Sequence, residues 1–241
     1  LDVSPGDVTT ALRAGMPVST SRPTPGDFGK LYRSVLETGS SAVLSVHLSG
    51  QLSGTCDSAR LAAAELDDGL IRVVDSRLTG MALGFAVLAA ARVAAGGGTL
   101  TEVEQAARTM AGHTTALFYV DSLEWLRRGG RIGSAAARFG TALAVKPLLH
   151  LSDGRIQPLE KVRTASKAIA RLTQLGVAAA GDRPVDVAVQ HLAAPERAAD
   201  LARQLRTALP ALRQLYESEV GAAVGAHVGP GLLGIVVARA D

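Results

Sequence analysis

Residues 42–48 and 71–75 are short, nearly continuous apolar runs, and each passes through a polar loop into a helically patterned segment. The first loop is Ser49-Gly50-Gln51-Leu52-Ser53-Gly54-Thr55, followed by 56–66, where Leu61, Ala62 and Leu66 form an apolar face. The second begins at Asp75-Ser76 and leads through 77–80 into the apolar stretch 81–95. Strands without polar alternation are buried on both faces, so this pattern predicts parallel βαβ units with helices on both sides of a sheet. The 49–55 loop also gathers backbone N–H groups and hydroxyls at a helix N-terminus, whose partial positive charge favours an anion such as a phosphate or carboxylate.

The remaining chain extends that pattern and then changes it. Residues 2–15 read as a short helix with Ser4-Pro5 at its start, 17–21 as a brief extended piece, and 28–38 as a second helix after the stiff turn 22–27. Residues 102–112 are a further helix. Ligands of open parallel sheets bind beyond the carboxyl ends of strands. Thr20-Ser21, the 49–55 loop and Asp75-Ser76 all fall at such expected ends.

From Thr114 the strands read as 116–120, 146–151, 155–163, 185–192, 215–219 and 232–238. Asp153-Gly154 marks a hairpin between the second and third of these. The helices read as 122–128, an Ala-rich 134–143, 164–175 and 195–209; residues 220–226 are ambiguous and 227–231 are a tight turn. A hairpin among helices implies a mixed sheet. The expected architecture is therefore α/β in two domains: a three-layer α/β/α parallel-sheet domain over 1–112 and an α/β domain with a mixed sheet over 113–241.

Composition narrows the function classes. With 3% aromatic residues the core must be built from Ala, Val and Leu. The single cysteine, Cys56, precludes an internal disulfide or a multi-cysteine metal site and suits a reducing cytoplasm. No apolar run reaches the roughly 18 residues that span a bilayer. A net charge of +3 is too small to argue for nucleic acid, and aromatic platforms for single strands are missing. Between Arg127 and Arg171, ten Lys or Arg face two acids, which makes either a docking face or a solvated basic surface. The five histidines lack metal-ligand spacing. No G-x-x-x-x-G-K-[ST] and no G-x-G-x-x-G after a strand occurs, so a nucleotide-binding or phosphotransfer reading has no motif to stand on.

Several blocks, in order, resemble the DegV family. They are Thr20-Ser21-Arg22-Pro23-Thr24-Pro25, Leu52-Ser53-Gly54-Thr55, Asp75-Ser76, Asp121-Ser122-Leu123-Glu124-Trp125-Leu126 running on to Gly129-Gly130-Arg131-Ile132-Gly133, Lys146-Pro147-Leu148-Leu149, Lys161-Val162-Arg163-Thr164 and His227-Val228-Gly229-Pro230-Gly231. The resemblance implies two α/β domains with a long-chain fatty acid held between them. It also implies a non-catalytic protein that presents the carboxylate to a separate fatty acid kinase subunit, which makes an acyl-phosphate. Thr20 and Ser53 would supply carboxylate-binding hydroxyls, His227 would join their network, and Arg163 would face the kinase. The family opens with a strand ending in Asp-Ser-Thr, so a strand before Leu1 is expected. No cofactor or metal is expected, and membrane contact would be transient at most.

Physical chemistry agrees with an acid as ligand. A buried carboxylate needs donors, and the hydroxyls with the amides of Gly54 and Thr55 supply them. At about 0.8 kcal/mol per buried CH₂, a long acyl chain offers on the order of 10 kcal/mol before association costs. The Ala-rich helices 81–95 and 134–143 have side chains small enough to leave a slot for it. The same residues also have structural uses. Ser53 suits a helix cap, His227 a buried imidazole on a backbone carbonyl, Thr20 a turn before Pro23 with Ser21 as competitor, and Arg163 a surface charge. The alternatives are a hydrolase using Ser53, His227 and Asp75, though no G-x-S-x-G elbow surrounds Ser53, and a lipid-binding protein without a kinase partner.

Overall fold

The computed structural model describes residues 3–66, 69–133 and 146–239. The chain divides into two compact units, one of residues 21–113 and the other of residues up to Thr20 together with those from Thr114 onward.

In the 21–113 unit, strands β1 (Val43–His47) and β2 (Ile71–Asp75) pair in parallel, from Val43 opposite Ile71 to His47 opposite Asp75. Alternation along the strands sorts their side chains onto two faces. Val43, Ile71 and Val73 pack on Phe28 and Tyr32 of α2 (Pro25–Glu37) and on Ala59 and Ala62 of α3 (Thr55–Leu66). Leu44 and Val46 meet Ala90 of α4 (Gly80–Ala95) and Val103 and Ala107 of α5 (Leu100–Gly112). Helices thus lie over both faces of a small parallel sheet, as the continuous apolar runs require.

Helix α2 starts three residues before the expected Phe28. Thr24 and Asp27 close a reciprocal capping box, and Pro25 takes the first helical position, where its missing N–H costs nothing. Residues 17–24, expected to begin as an extended piece, belong to no strand, so Thr20 sits on irregular chain rather than at a strand end.

The other unit carries a six-stranded mixed sheet. Its strands are β3 (Thr114–Tyr119), β4 (Lys146–Ser152), β5 (Arg155–Val162), β6 (Val185–His191), β7 (Leu212–Glu219) and β8 (Leu233–Arg239), in the order β5-β4-β3-β8-β6-β7. Among the described residues of this sheet, only the β6–β7 pair is parallel. Asp153 and Gly154, at φ 50° and 77°, make the β4–β5 hairpin. Helices α7 (Ala165–Ala180) and α8 (Pro195–Ala208) bury Leu172, Leu201 and Leu205 against Val187, Val189, Leu233 and Ile235.

Helix α1 (Pro5–Arg13), held at its start by a Ser4–Asp7 capping box, packs Val8 and Leu12 against Trp125, Ala222 and Ala226. This apolar contact puts the first twenty residues with the larger sheet, whereas the sequence reading placed them in the domain over 1–112. Helix α6 is short (Glu124–Arg128), with the Ser122 hydroxyl accepting from the Glu124 N–H. The ambiguous 220–226 stretch becomes α9 (Ala222–Val228), which puts His227 on a helix's last turn and leaves only the residues after Val228 as a turn. The expected helix over 134–143 lies outside the described residues.

Candidate functional site

The 49–55 loop is tied to the end of β2. The Asp75 carboxylate accepts from the Gly50 N–H (3.2 Å) and from the Arg77 N–H (2.8 Å), where Arg77 adopts a left-handed φ of 58°. The Ser76 hydroxyl donates to the His47 carbonyl (2.7 Å) and accepts from the Leu78 N–H (3.1 Å). The N–H groups of Leu52 and Ser53 both donate to the Ser49 carbonyl, which turns the chain towards α3. With both oxygens taken by backbone donors, Asp75 is a structural clasp of the loop.

Past that turn, the Ser53 hydroxyl accepts weakly from the Thr55 N–H (3.3 Å) and lies 2.8 Å from the Thr55 hydroxyl. One proton suffices for that hydroxyl pair, so the second remains to be donated at the N-terminus of α3. The Arg22 guanidinium lies directly against Gly54, in the place a side chain there would take. Behind the loop, the buried Cys56 thiol is pushed up by burial, so it stays a neutral packing group.

In the other unit the Thr20 hydroxyl and the His227 Nε2 are 2.9 Å apart. The His227 Nδ1 is buried with no hydrogen-bond partner among the described residues. Burial, with the charge of Arg131, holds the imidazole pKa below its usual value, so the ring is neutral near pH 7. A neutral ring carries one proton. On Nδ1 it would be a buried N–H without an acceptor, whereas on Nε2 it donates to Thr20. His227 therefore acts as donor to Thr20, and the Thr20 O–H is left to donate onward. In that tautomer the pair presents a proton to an acceptor, which suits binding a carboxylate.

A family model described as an uncharacterised protein of the DegV family matches residues 1–240. This chain belongs to the DegV family. The DegV domain-containing protein SCO2569 of Streptomyces coelicolor is 56% identical over 236 residues, covering 98% of this chain and 84% of that protein. Among solved structures, the fatty-acid-binding DegV family protein of Thermus thermophilus superposes with a TM-score of 0.92 at 32% identity, covering 99% of this chain and 85% of that one. DegV of Bacillus subtilis, described as a fatty acid binding protein, gives 0.87 at 33% identity, covering 99% and 85%.

Of the residues singled out in the sequence, the structure joins Thr20 to His227 and places Ser53 beside Gly54 at the start of α3. Arg163 is exposed just beyond β5 and makes no ion pair among the described residues. Sequence reasoning missed the clasp by Asp75, the seating of Arg22 on Gly54, and the contact between Gly129 and His227. Glycines inside the motif blocks were the available signal for the last two. Among the described residues no three His, Cys, Asp or Glu gather as metal ligands, and no helix is long and apolar enough to cross a membrane.

Proposed function

We propose that this DegV protein is a non-catalytic binding protein for a long-chain fatty acid, presenting the carboxylate to a separate kinase for acyl-phosphate formation in the cytoplasm. The observation that carries the reading is the 2.9 Å contact between the Thr20 hydroxyl and the Nε2 of a His227 ring whose Nδ1 is buried without a described partner; with the ring proton on Nε2, the Thr20 proton is left for an acceptor. The Ser53 hydroxyl and the amides at the start of α3 are the second donor set, and a carboxylate fits the positive end of that helix. The fatty-acid binding described for the Thermus and Bacillus relatives supports the same ligand class.

The test is extraction of the purified protein with organic solvent followed by mass spectrometry, with added palmitate and oleate as a second arm. Stoichiometric fatty acid, carried through purification or taken up on addition, is the expected result. A protein that is empty and takes up neither acid overturns the reading.

A further inference from the structure

The stretch 121–133 is the longest of the motif blocks, and the proposed function gives it no task. In the structure its first half forms the surface on which residues 227–231 rest. The Trp125 ring lies against Gly229, and Gly129 lies against the His227 imidazole, where an added Cβ would collide with Nδ1. Gly231, at φ +90°, passes so close to the Asp121 carboxylate that a Cβ there would collide with Oδ2.

Asp121 is itself held from three elements. Tyr119 of β3 donates its hydroxyl to Oδ1. Lys146 of β4 reaches Oδ1 at 3.7 Å and donates to the Asp121 backbone carbonyl at 3.0 Å. Arg197 of α8 lies 3.5 Å from Oδ2. Burial and the neighbouring carboxylate push the Tyr119 hydroxyl strongly up, so it keeps its proton and stays a donor. One carboxylate thus gathers two cations and a phenol directly beside the turn that follows His227.

We propose that Asp121 is a positioning residue for His227, fixing the Gly229-Pro230-Gly231 turn and through it the imidazole that donates to Thr20. The inference rests on reading His227 as a carboxylate ligand. Its test therefore has one arm that needs no fatty acid.

The first arm follows the His227 ring by nitrogen NMR of histidine-labelled protein, and the second measures palmitate affinity. In the wild type the His227 ring signal is expected to be that of a neutral imidazole protonated at Nε2. Asp121→Ala should broaden or shift it and weaken palmitate about tenfold. Asp121→Asn keeps an acceptor for Tyr119 but loses the charge, so it should fall between.

Asp186→Asn is the control. It breaks the Asp186–Arg213 ion pair at the end of β6 where Asp186 faces Ala238, whereas the turn adjoins the end where His191 faces Leu233. It should lower Tm and leave both the His227 signal and the affinity alone. An unchanged His227 signal in Asp121→Ala, or an equal change in the Asp186 control, overturns the inference. If Asp121→Ala does not fold, Asp121→Asn decides by the same comparison. A perturbed ring in a protein that takes up no palmitate supports the seat and overturns the fatty-acid reading.

Discussion

The Thr20 hydroxyl meets the His227 imidazole at 2.9 Å across 207 positions of sequence. The contact exists because α1 packs Val8 and Leu12 on the α9 residues Ala222 and Ala226, which delivers the irregular chain after α1 to the end of α9. Two groups that only the family resemblance placed in one network are brought into contact by that apolar packing. Replacing His227 with Ala should then weaken fatty-acid binding beyond the loss of one hydroxyl contact, because Thr20 loses the partner that orients it. Thr20→Ala combined with His227→Ala should be less than additive in binding titrations. Full additivity would show that the two act separately.

Ser53→Ala removes an acceptor for the Thr55 N–H and the proposed donor to the carboxylate. The first loss is a weak local bond and should lower stability by about 1 kcal/mol or less. The second is a hydrogen bond to a charged group, worth about 1.5–3 kcal/mol, or roughly 10- to 100-fold in Kd. Palmitate titration alongside thermal unfolding separates the two. An unchanged Kd would place the carboxylate elsewhere.

Much of the fold was legible because its signals are local. Ser4-Pro5 with Asp7 starts α1, Asp153-Gly154 turns the hairpin, and Ile71–Asp75 is a strand with the bounds read from its apolar run. Thr24-Pro25 with Asp27 is an equally local start signal, but Pro23 and Pro25 on either side of Thr24 read first as a turn. What stayed hidden depends on partners distant in sequence. An amphipathic α1 says that it packs, and not that it packs on α9. The site residues came from ordered motif blocks rather than from physics alone, since nothing near Thr20 points to His227.

Loop stability should depend on Asp75. Asp75→Ala leaves the N–H groups of Gly50 and Arg77 without their acceptor, and each such loss costs about 1–3 kcal/mol where water cannot replace it. A lower midpoint in chemical denaturation is expected, with part recovered in Asp75→Asn through its remaining oxygen. A midpoint equal to wild type would mean that the β2 clasp carries no stability.

Acid should weaken the fold in a window set by its histidines. Burial lowers the pKa of His47, His150 and His227 from the ordinary 6.5, with help from Arg60 at His47 and from Arg131 at His227. Below that value the unfolded chain binds protons that the folded chain refuses, so stability is full above about pH 6.5 and falls as pH drops towards the folded values. The capping carboxylates Asp7, Asp27 and Glu102, held down by their hydrogen bonds, lose their contribution only at lower pH. Tm recorded from pH 7.5 to 5 should decline, and less steeply in His227→Gln. A flat profile would contradict the buried neutral imidazoles.

Arg163 offers the separation between binding and presentation. It is exposed just beyond β5, and no described residue pairs with it, so Arg163→Ala removes no native contact on which the fold depends. Tm and palmitate affinity should match the wild type. If Arg163 faces a kinase, the variant loaded with fatty acid should be phosphorylated more slowly, with the loss greatest at low salt, where a charge contributes most to encounter. Equal turnover at all salt concentrations would make Arg163 a surface charge and move the docking face to other residues of the basic 127–171 segment.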